Sequence, residues 1–271
     1  MRRAPKTPQA IGVFTNDPNG VFQRNVIRGV EQEAKQHDYP IEVIAVPDWQ
    51  NTAPRYDSLA GIISVATAVP DNFLRMFYRL AKPLSLIAHI IPDTPVPTVI
   101  SNNAQGIAEL VRYLCDERGC SRFVYIRGIA AQIDAQQRER AFREELTRRG
   151  FSPQDARFVA GDFDPPIAAQ SIRALVKQRK EFPFDAILAA DYMMGIAAAE
   201  VLYKANIDIP DEVAIAGFGD GHEALDADLT TVAANVSELG VCATRQVVKQ
   251  IDGLRISGAT VLSTRLIVRG T

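Results

Sequence analysis

The sequence has little cysteine and no long apolar run, and each shortage argues against a class of protein. Among its 271 residues there are three cysteines, an odd number, at spacings that match no zinc or redox motif. We therefore expect reduced thiols packed in a core, rather than a disulfide framework or a metal centre. No apolar stretch approaches the roughly 20 residues of a membrane-spanning helix, and the basic first residues precede too short an apolar run for a signal peptide. The sequence predicts a cytoplasmic protein with no membrane partner.

Charge and histidine are too evenly scattered to indicate nucleic-acid binding or catalysis. The 30 basic and 32 acidic residues give a formal net charge of −2 and are interspersed, so no patch for DNA or RNA is indicated. The histidines, His37, His89 and His222, lie far apart in the chain, and neither a nucleophile elbow nor a Walker-type loop occurs. The segment GFGDGH resembles a dinucleotide fingerprint only superficially, because its third glycine position is His222. We predict no catalytic residue, no metal site and no cofactor.

What the sequence does contain is a strong strand–helix–strand pattern in its second half. A short apolar run at 186–190 predicts a buried strand, and apolar residues then recur at helical spacing. A second apolar strand is predicted at 213–218, and two strands joined by a crossover helix should be parallel. Asp191 and Asp220 follow these strands, at the edge where open parallel sheets bind ligands.

Strands and helices alternate through the whole chain, and the pattern restarts near Gly119. Two such series of about a hundred residues each predict an α/β fold with two doubly wound parallel-sheet lobes, rather than one eight-stranded barrel. The last helix and the last strand, which is predicted at 261–268, are most simply placed as crossings between the lobes. This placement gives several hinge crossovers and a cleft. The predicted N-terminal lobe comprises residues 9–118 and 232–258, and the C-terminal lobe comprises residues 119–231 and 259–271.

Several short motifs stand in a characteristic order along nearly the whole chain. They are SNNAQG from Ser101, GCSR from Gly119, YIRG from Tyr125, RERAF from Arg138, GDF from Gly161, FDAILAADYMMG from Phe184, IDIPDEVAIAGFGD from Ile207, DLTTV from Asp228 and ELG from Glu238. In this order they resemble the ligand-binding region of the LacI/GalR family of repressors, which has the type 1 periplasmic-binding-protein fold. The resemblance implies a small polar, sugar-like ligand, a homodimer, and contact with DNA only through a headpiece that this chain lacks.

The resemblance also implies ligand roles for two residues of the C-terminal lobe. Arg138 stands where the family has an arginine that grips hydroxyls or a carboxylate of the ligand, and its helical position beside apolar residues makes it less free than neighbouring arginines. A solvated charge is the alternative role. Phe163 resembles the family's stacking aromatic, because flat rings pack well on the C–H faces of sugars. Core packing is its alternative role.

Six further residues are weaker candidates for the ligand site. Asn102 occupies a position where the family usually has an aspartate, and a simple helix cap is its alternative role. Asp191 matches the family's acid after a strand, where a cap is again the alternative. The others are an acid after the next strand, an aromatic of the N-terminal lobe and two residues in the loop before Arg138, namely Asp220, Phe22, Gln132 and Asp134.

The turn after the predicted strand 213–218 departs from the family pattern. The family usually has Gly-Phe-Asp-Asp, whereas the turn here is Gly217, Phe218, Gly219 and Asp220. A glycine therefore replaces the acid that is expected to hold ligand hydroxyls. Either Asp220 substitutes for that acid, or the pocket is larger.

Two other departures concern the N-terminal part of the chain. Segment 47–58 has two prolines and no helical pattern, so the crossover helix expected there is missing or a stub, and Trp49 falls in an unusual loop. The residues before Ala10 are too few for the helices of a helix-turn-helix. Either the region has been separated from such a headpiece, or it serves another signalling architecture.

The predicted function is to sense a small polar metabolite, most simply a sugar or sugar derivative, within a LacI/GalR-type transcriptional regulator. The ligand is expected between the lobes, where it would favour a closed state. Three alternatives remain: a sensor joined to a kinase or cyclase, a transporter-associated binding protein trimmed of its signal sequence, and, least favoured, an enzyme. A domain retained only for dimerisation would suit the altered turn equally well.

Overall fold

The computed structural model describes residues 9–46, 56 and 58–271, which form an α/β fold of alternating strands and helices. The strands are β1 (Ile11–Thr15), β2 (Ile41–Ala45), β3 (Gly61–Val65), β4 (Leu84–Ile87), β5 (Thr98–Ser101), β6 (Phe123–Ile126), β7 (Ala156–Val159), β8 (Ala186–Ala189), β9 (Ala214–Phe218), β10 (Thr230–Ala234), β11 (Ala259–Leu262) and β12 (Thr264–Ile267). The helices are α1 (Val21–Gln36), α2 (Asp71–Arg79), α3 (Asn103–Arg112), α4 (Ile133–Arg148), α5 (Pro165–Lys177), α6 (Tyr192–Lys204), α7 (His222–Asp226) and α8 (Val236–Ile251).

The chain divides into two compact units, each with its own six-stranded sheet. The first unit contains the described residues up to Ser101 together with Asn235–Leu262, and the second contains Asn102–Ala234 and Ser263–Thr271. The chain therefore passes from one unit to the other three times. Two α/β units with mainly parallel sheets confirm the predicted fold class.

The structure moves the predicted boundaries of the two lobes. Segment 102–118, predicted for the N-terminal lobe, belongs to the second unit, where α3 packs against α4 and β12. Residues 232–234 belong there too, as part of β10. The single closing strand expected at 261–268 is instead two strands, because β11 pairs with β5 in the first unit and β12 pairs with β10 in the second. An extended pattern in the sequence does not reveal that the chain changes unit at Ser263.

In the first unit the sheet has the order β11-β5-β4-β3-β1-β2, and its strands are all parallel. β1, β3 and β4 are buried along their whole length, as expected for strands that are covered on both faces. On one face α1 and α8 pack closely, and a Cβ on Gly240 would lie 2.2 Å from the carbonyl oxygen of Val26. On the other face α2 contributes Leu74 and Phe77 to the core.

In the second unit the sheet has the order β12-β10-β9-β8-β6-β7, and the β10–β12 pair is antiparallel whereas the other pairs are parallel. The core between this sheet and α4 is aromatic. The fully buried rings of Phe123 and Tyr125 lie 6.0 Å and 4.8 Å from that of Phe142, measured between centroids. This packing fixes α4 on the sheet, and α4 carries two of the predicted site residues.

Two further expectations concern segment 47–58 and membrane helices. Residues 47–55 and 57, including Trp49, lie outside the described residues, so the predicted lack of a crossover helix there stays a prediction. Tyr56 is buried, and its ring stacks on Phe14 with centroids 4.9 Å apart. None of the described helices is long and apolar enough to cross a membrane.

Candidate functional site

The candidate site lies at the carboxyl edge of the second unit's sheet, where the loops after β6, β7, β8 and β9 emerge. The strand order reverses between β6 and β8, and open parallel sheets bind ligands beside such a reversal. Helices α4 and α6 follow β6 and β8, so their first turns lie at this edge. Asp134 and Arg138 lie in the first two turns of α4, and Asp191 precedes α6.

Arg138 is the central residue of this edge, and it is buried with 8% of its surface exposed. Its Nε donates to Asn103 Oδ1 at 2.8 Å, and its Nη1 donates to the carbonyl oxygen of Ala190 at 2.8 Å. Its Nη2 donates to Asp134 Oδ2 at 3.3 Å. The guanidinium carbon lies 3.8 Å from the ring centroid of Phe218, so an aromatic face also holds the group. The alternative role of Arg138 as a solvated charge is therefore wrong.

The hydrogen bonds of Arg138 leave donors for a ligand. A guanidinium has five N–H groups, and contacts with the described residues use three of them. One further N–H on each terminal nitrogen has no acceptor in the part of the chain that the structure describes. Two N–H groups on neighbouring nitrogens suit the two oxygens of a carboxylate or of adjacent hydroxyls.

Asp191 has the capping role that its alternative interpretation predicts. Its Oδ1 accepts from the backbone N–H of Met194 at 2.8 Å, which satisfies one donor of the first turn of α6. Burial raises the pKa of the Asp191 carboxyl, although the N–H of Met194 and the charge of Arg138 oppose that shift. Its carboxyl oxygens can accept from hydroxyl groups, as they do from the N–H of Met194.

Phe163 lies in the turn after β7, in a backbone conformation that aromatic residues rarely adopt. The φ angle is +51° at Asp162 and +55° at Phe163, and left-handed residues of this kind cost about 1–3 kcal/mol each. The half-buried ring of Phe163 packs over the loop after β6, because a Cβ on Gly128 would lie 2.2 Å from Phe163 Cζ. The turn therefore holds an aromatic face at the carboxyl edge.

Asp220 forms an ion pair with a second arginine, Arg269. Its Oδ1 accepts from Arg269 Nη2 at 2.7 Å and from the hydroxyl of Thr231 at 2.8 Å. Arg269 Nη1 also donates to the carbonyl oxygen of Leu229 at 2.6 Å and to Thr231 Oγ1 at 3.1 Å. This cluster ties the turn after β9 to β10 and to the chain after β12. The geometry gives Asp220 a structural role, and its ligand role stays a prediction.

Tyr192 explains why residue 219 is a glycine. The φ angle of Gly219 is +96°, and a Cβ there would lie 2.9 Å from Tyr192 Cδ1. The Tyr192 hydroxyl donates to Glu223 Oε2 at 3.2 Å, which holds the ring against the turn. An acid at position 219 would therefore meet both an unfavourable backbone conformation and the ring of Tyr192.

Comparison with known proteins decides the family of the chain. A family model described as a periplasmic binding protein-like domain matches residues 111–271. The chain belongs to this family.

Curated relatives of this periplasmic binding protein-like domain are repressors. The protein named Probable HTH-type transcriptional repressor ExuR, from Bacillus subtilis (strain 168), is 25% identical over 278 residues, which cover 98% of this chain and 81% of the relative. The ribose operon repressor of Halalkalibacterium halodurans is 25% identical over 276 residues, which cover 98% of this chain and 80% of the relative. Both relatives are thus named as repressors rather than as enzymes.

Solved structures share the fold of this periplasmic binding protein-like domain. The lac repressor dimer bound to operator and the anti-inducer ONPF has a TM-score of 0.86 at 18% identity, covering 98% of this chain and 95% of that chain. A complex of the transcriptional regulator CelR with cellobiose has a TM-score of 0.85 at 21% identity, covering 98% and 86%. These likenesses concern the fold, and together with the repressor relatives they confirm the predicted resemblance to a LacI/GalR effector domain.

Three other predicted site residues of this periplasmic binding protein-like domain have contacts within their own elements. Asn102 caps α3, because its Oδ1 accepts from the N–H of Gln105 at 3.2 Å. Gln132 is the half-buried residue before α4. Phe22 belongs to α1 of the first unit and packs against that unit's core. Their ligand roles stay predictions.

Sequence reasoning missed two contact residues of Arg138. Asn103 and Phe218 both contact its guanidinium. Asn103 was not predicted because Asn102 matched the family's ligand position, and Phe218 was not predicted because it matched only the family's turn. The sequence signal that could have indicated Asn103 is the pair of asparagines at the start of α3. The first of them caps the helix, and the second contacts Arg138. Among residues 9–46, 56 and 58–271, no group of three or more His, Cys, Asp or Glu could hold a metal ion.

Proposed function

We propose that this domain senses a sugar or sugar derivative for a transcriptional regulator of the LacI/GalR type. The observation that carries the proposal is the buried guanidinium of Arg138, which is held by three hydrogen bonds and retains one N–H on each terminal nitrogen. Such a pre-oriented fork loses little entropy when it binds two oxygens. Two of the similar proteins are named for sugars, as a ribose operon repressor and as a complex with cellobiose.

The other residues of the edge supply complementary contacts to such a ligand. The ring of Phe163 offers a flat apolar face to sugar C–H groups, and the turn that carries it is held in a left-handed conformation. The carboxyl of Asp191 is available to hydroxyls beyond the bond that caps α6. A polar fork, an apolar face and a carboxyl group are what a polyol with one apolar side needs.

The output of the sensor is an equilibrium between two states of the regulator. A ligand shifts such an equilibrium only by as much as it binds one state better than the other. We propose that the regulator is a cytoplasmic homodimer that contacts DNA through a headpiece outside this chain. We propose that it catalyses no reaction. Binding between the two lobes of the fold stays a prediction.

Thermal unfolding in the presence of sugars, sugar acids and nucleosides tests the proposal. A ligand present at 100 times its Kd stabilises the folded protein by about 2.7 kcal/mol, or about 5 °C in Tm for a protein of this size. We expect such a shift from at least one sugar or sugar acid, with no turnover of the compound. Loss of the shift is expected in Arg138→Lys, because an ammonium cannot reproduce the fork.

The control is Arg179→Lys, which changes an arginine two residues after α5 that pairs with the exposed carboxylate of Glu212, 3.0 Å away. This variant should keep the full shift. The proposal is contradicted if nucleosides alone shift the Tm, if the best compound is converted to a product, or if Arg138→Lys responds as the wild type does.

A further inference from the structure

Asn103 is the most deeply buried polar side chain beside Arg138, with 2% of its surface exposed. It is the first residue of α3, directly after the capping residue Asn102. Its Oδ1 accepts from Arg138 Nε at 2.8 Å. Its Nδ2 donates to Asp134 Oδ1 at 2.8 Å and to Gln137 Oε1 at 2.8 Å. A primary amide has two N–H donors, and both are used.

These bonds close a ring of three side chains. Arg138 donates to Asn103, Asn103 donates to Asp134, and Asp134 accepts in turn from Arg138 Nη2. The ring occupies the edge of the guanidinium that carries Nε and one N–H of Nη2. A side chain held along this edge cannot rotate about its last torsions without breaking at least two hydrogen bonds.

The chemistry of the partners fixes the orientation of the amide. With Oδ1 and Nδ2 exchanged, the Asn103 NH₂ group would face the guanidinium, which has donors only, and the carbonyl oxygen would face the Asp134 carboxylate. Both contacts would be repulsive. Asn103 is therefore suited to join a cation to an anion, which neither an apolar residue nor a second acid could do.

We infer that Asn103 is a positioning residue, which acts with Asp134 to fix the guanidinium of Arg138 so that its terminal N–H groups are presented to a ligand. The inference rests on the proposed function for the ligand itself, but the fixed orientation of Arg138 is a property of the protein alone. Asn103 need not touch the ligand. Phe218 and Ala190 hold the guanidinium from two other directions, and Asn103 and Asp134 hold the edge that carries Nε.

The first experiment measures hydrogen exchange of the arginine Nε–H groups by NMR in the full chain labelled with ¹⁵N-arginine, with the Arg138 signal assigned from Arg138→Lys. In the wild type this N–H should exchange at least about tenfold more slowly than that of the exposed Arg255. In Asn103→Leu the protection should be lost. In Asn103→Asp/Asp134→Asn, where amide and acid change places, the ring can re-form and the protection should return.

A control separates positioning from general stability. The Asp185 carboxylate accepts from the backbone N–H groups of Ser121 and Arg122, at the opposite, amino edge of the same sheet. Asp185→Ala should therefore lower the Tm of the protein without speeding the exchange of the Arg138 Nε–H. Unchanged exchange in Asn103→Leu, or equal acceleration in Asp185→Ala, overturns the inference.

The second experiment measures affinity for the sugar that gives the largest thermal shift in the wild type. Asn103→Leu should weaken binding by at least about tenfold, and the exchanged pair should recover to within about threefold of the wild type. If Asn103→Leu does not fold, Asn103→Asp takes its place, and the exchanged pair must bind more tightly than this single variant. Equal affinity in the single variant and the exchanged pair contradicts the inference.

The two experiments fail in distinguishable ways. If no sugar or sugar acid binds the wild type, the proposed function is wrong, whereas the exchange of the Arg138 Nε–H still decides whether Asn103 positions the guanidinium. If a sugar binds and the affinity of Asn103→Leu is unchanged, the function stands and the positioning role is wrong.

Discussion

Two arginine–aspartate pairs of the second unit have both side chains less than 20% exposed, and they differ in what surrounds them. Arg138 and Asp134 are four residues apart on α4, and Asn103 and the ring of Phe218 complete their surroundings. Arg269 follows β12, and Asp220 lies in the turn after β9. Arg269 also donates to the carbonyl oxygen of Leu229, just before β10, and to the hydroxyl of Thr231 in β10.

An ion pair does not by itself indicate a ligand site. The Arg269 pair joins segments that are distant in the sequence, so its bonds serve the fold. The Arg138 pair joins residues of one helix, although Arg138 also donates to Asn103 and to the carbonyl oxygen of Ala190. Arg269 Nη1 uses two N–H groups within the fold, whereas each terminal nitrogen of Arg138 makes one hydrogen bond to the described residues. The guanidinium with donors to spare is the better candidate for function.

The largest expected effect is the loss of stability when either arginine is removed. Arg138→Leu and Arg269→Leu each leave a carboxylate with little exposure and no countercharge, which costs about 3–5 kcal/mol. Urea denaturation monitored by circular dichroism measures the free energy of unfolding. The double variant Arg138→Leu/Asp134→Leu should recover part of the loss, because no charge is left unpaired. A single-variant loss below about 1 kcal/mol would show that solvent reaches that carboxylate.

A smaller effect is expected at the turn beside the second pair. Gly219→Ala should lower the free energy of unfolding by about 2–3 kcal/mol, because φ is +96° and the new Cβ meets the Tyr192 ring. In a Tyr192→Ala background the same change should cost only about 1 kcal/mol, since the steric part is removed. A double-mutant cycle by urea denaturation gives the coupling. Equal costs in the two backgrounds would show that the ring does not determine the glycine.

The pH dependence of stability should change at Asp191, next to the first pair. Burial raises the pKa of this carboxyl in the folded protein above its ordinary value of 3.8. The folded state therefore holds the proton to higher pH than the unfolded state does, and this group's contribution to stability falls as pH rises through the raised pKa. Asn is also a good helix cap, so the stability of Asp191→Asn relative to the wild type should increase as pH rises above the ordinary carboxyl pKa of 3.8. A relative decrease as pH rises would show that the ionised carboxylate is stabilised in the fold.

The smallest effects on stability concern two tyrosine hydroxyls, one without and one with a hydrogen-bond partner. Tyr125 lies in β6, and its buried hydroxyl has no hydrogen-bond partner among the residues that the structure describes. Tyr125→Phe should change the free energy of unfolding by less than about 0.5 kcal/mol, whereas Tyr192→Phe should lose about 1 kcal/mol with its bond to Glu223. Thermal unfolding of the two variants in parallel checks the order, and a larger loss for Tyr125→Phe would reverse it.

How much the sequence predicts differs between the fold and the site. Apolar runs and helical spacing suffice for two α/β units, because burial on both faces of a parallel sheet leaves a clear pattern. Arg138 was predicted from its family position and its place among apolar residues. The change from the first unit to the second at Ser263 was not predicted. Two consecutive short extended segments have the sequence pattern of one strand, whichever sheets they join.

The fine structure of the site depends on contacts that no local pattern contains. Asn102 and Asn103 are adjacent and chemically identical, and only the geometry of the helix start sends one to a capping position and the other to Arg138. Gly219 likewise depends on Tyr192, which stands 27 residues earlier in the chain. Such pairings become visible only when the sheet brings the strand ends together.

The most direct measurement is a calorimetric titration of the best sugar or sugar acid from the thermal screen into wild type, Arg138→Lys and Arg269→Lys. Both lysines keep a positive charge beside an aspartate, so the two variants differ mainly in the site that each affects. We predict that Arg138→Lys weakens binding by at least about tenfold, equivalent to about 1.4 kcal/mol, while Arg269→Lys stays within about threefold of the wild type. Wild-type affinity in Arg138→Lys, or the same loss in both variants, would contradict the assignment of the ligand site to Arg138.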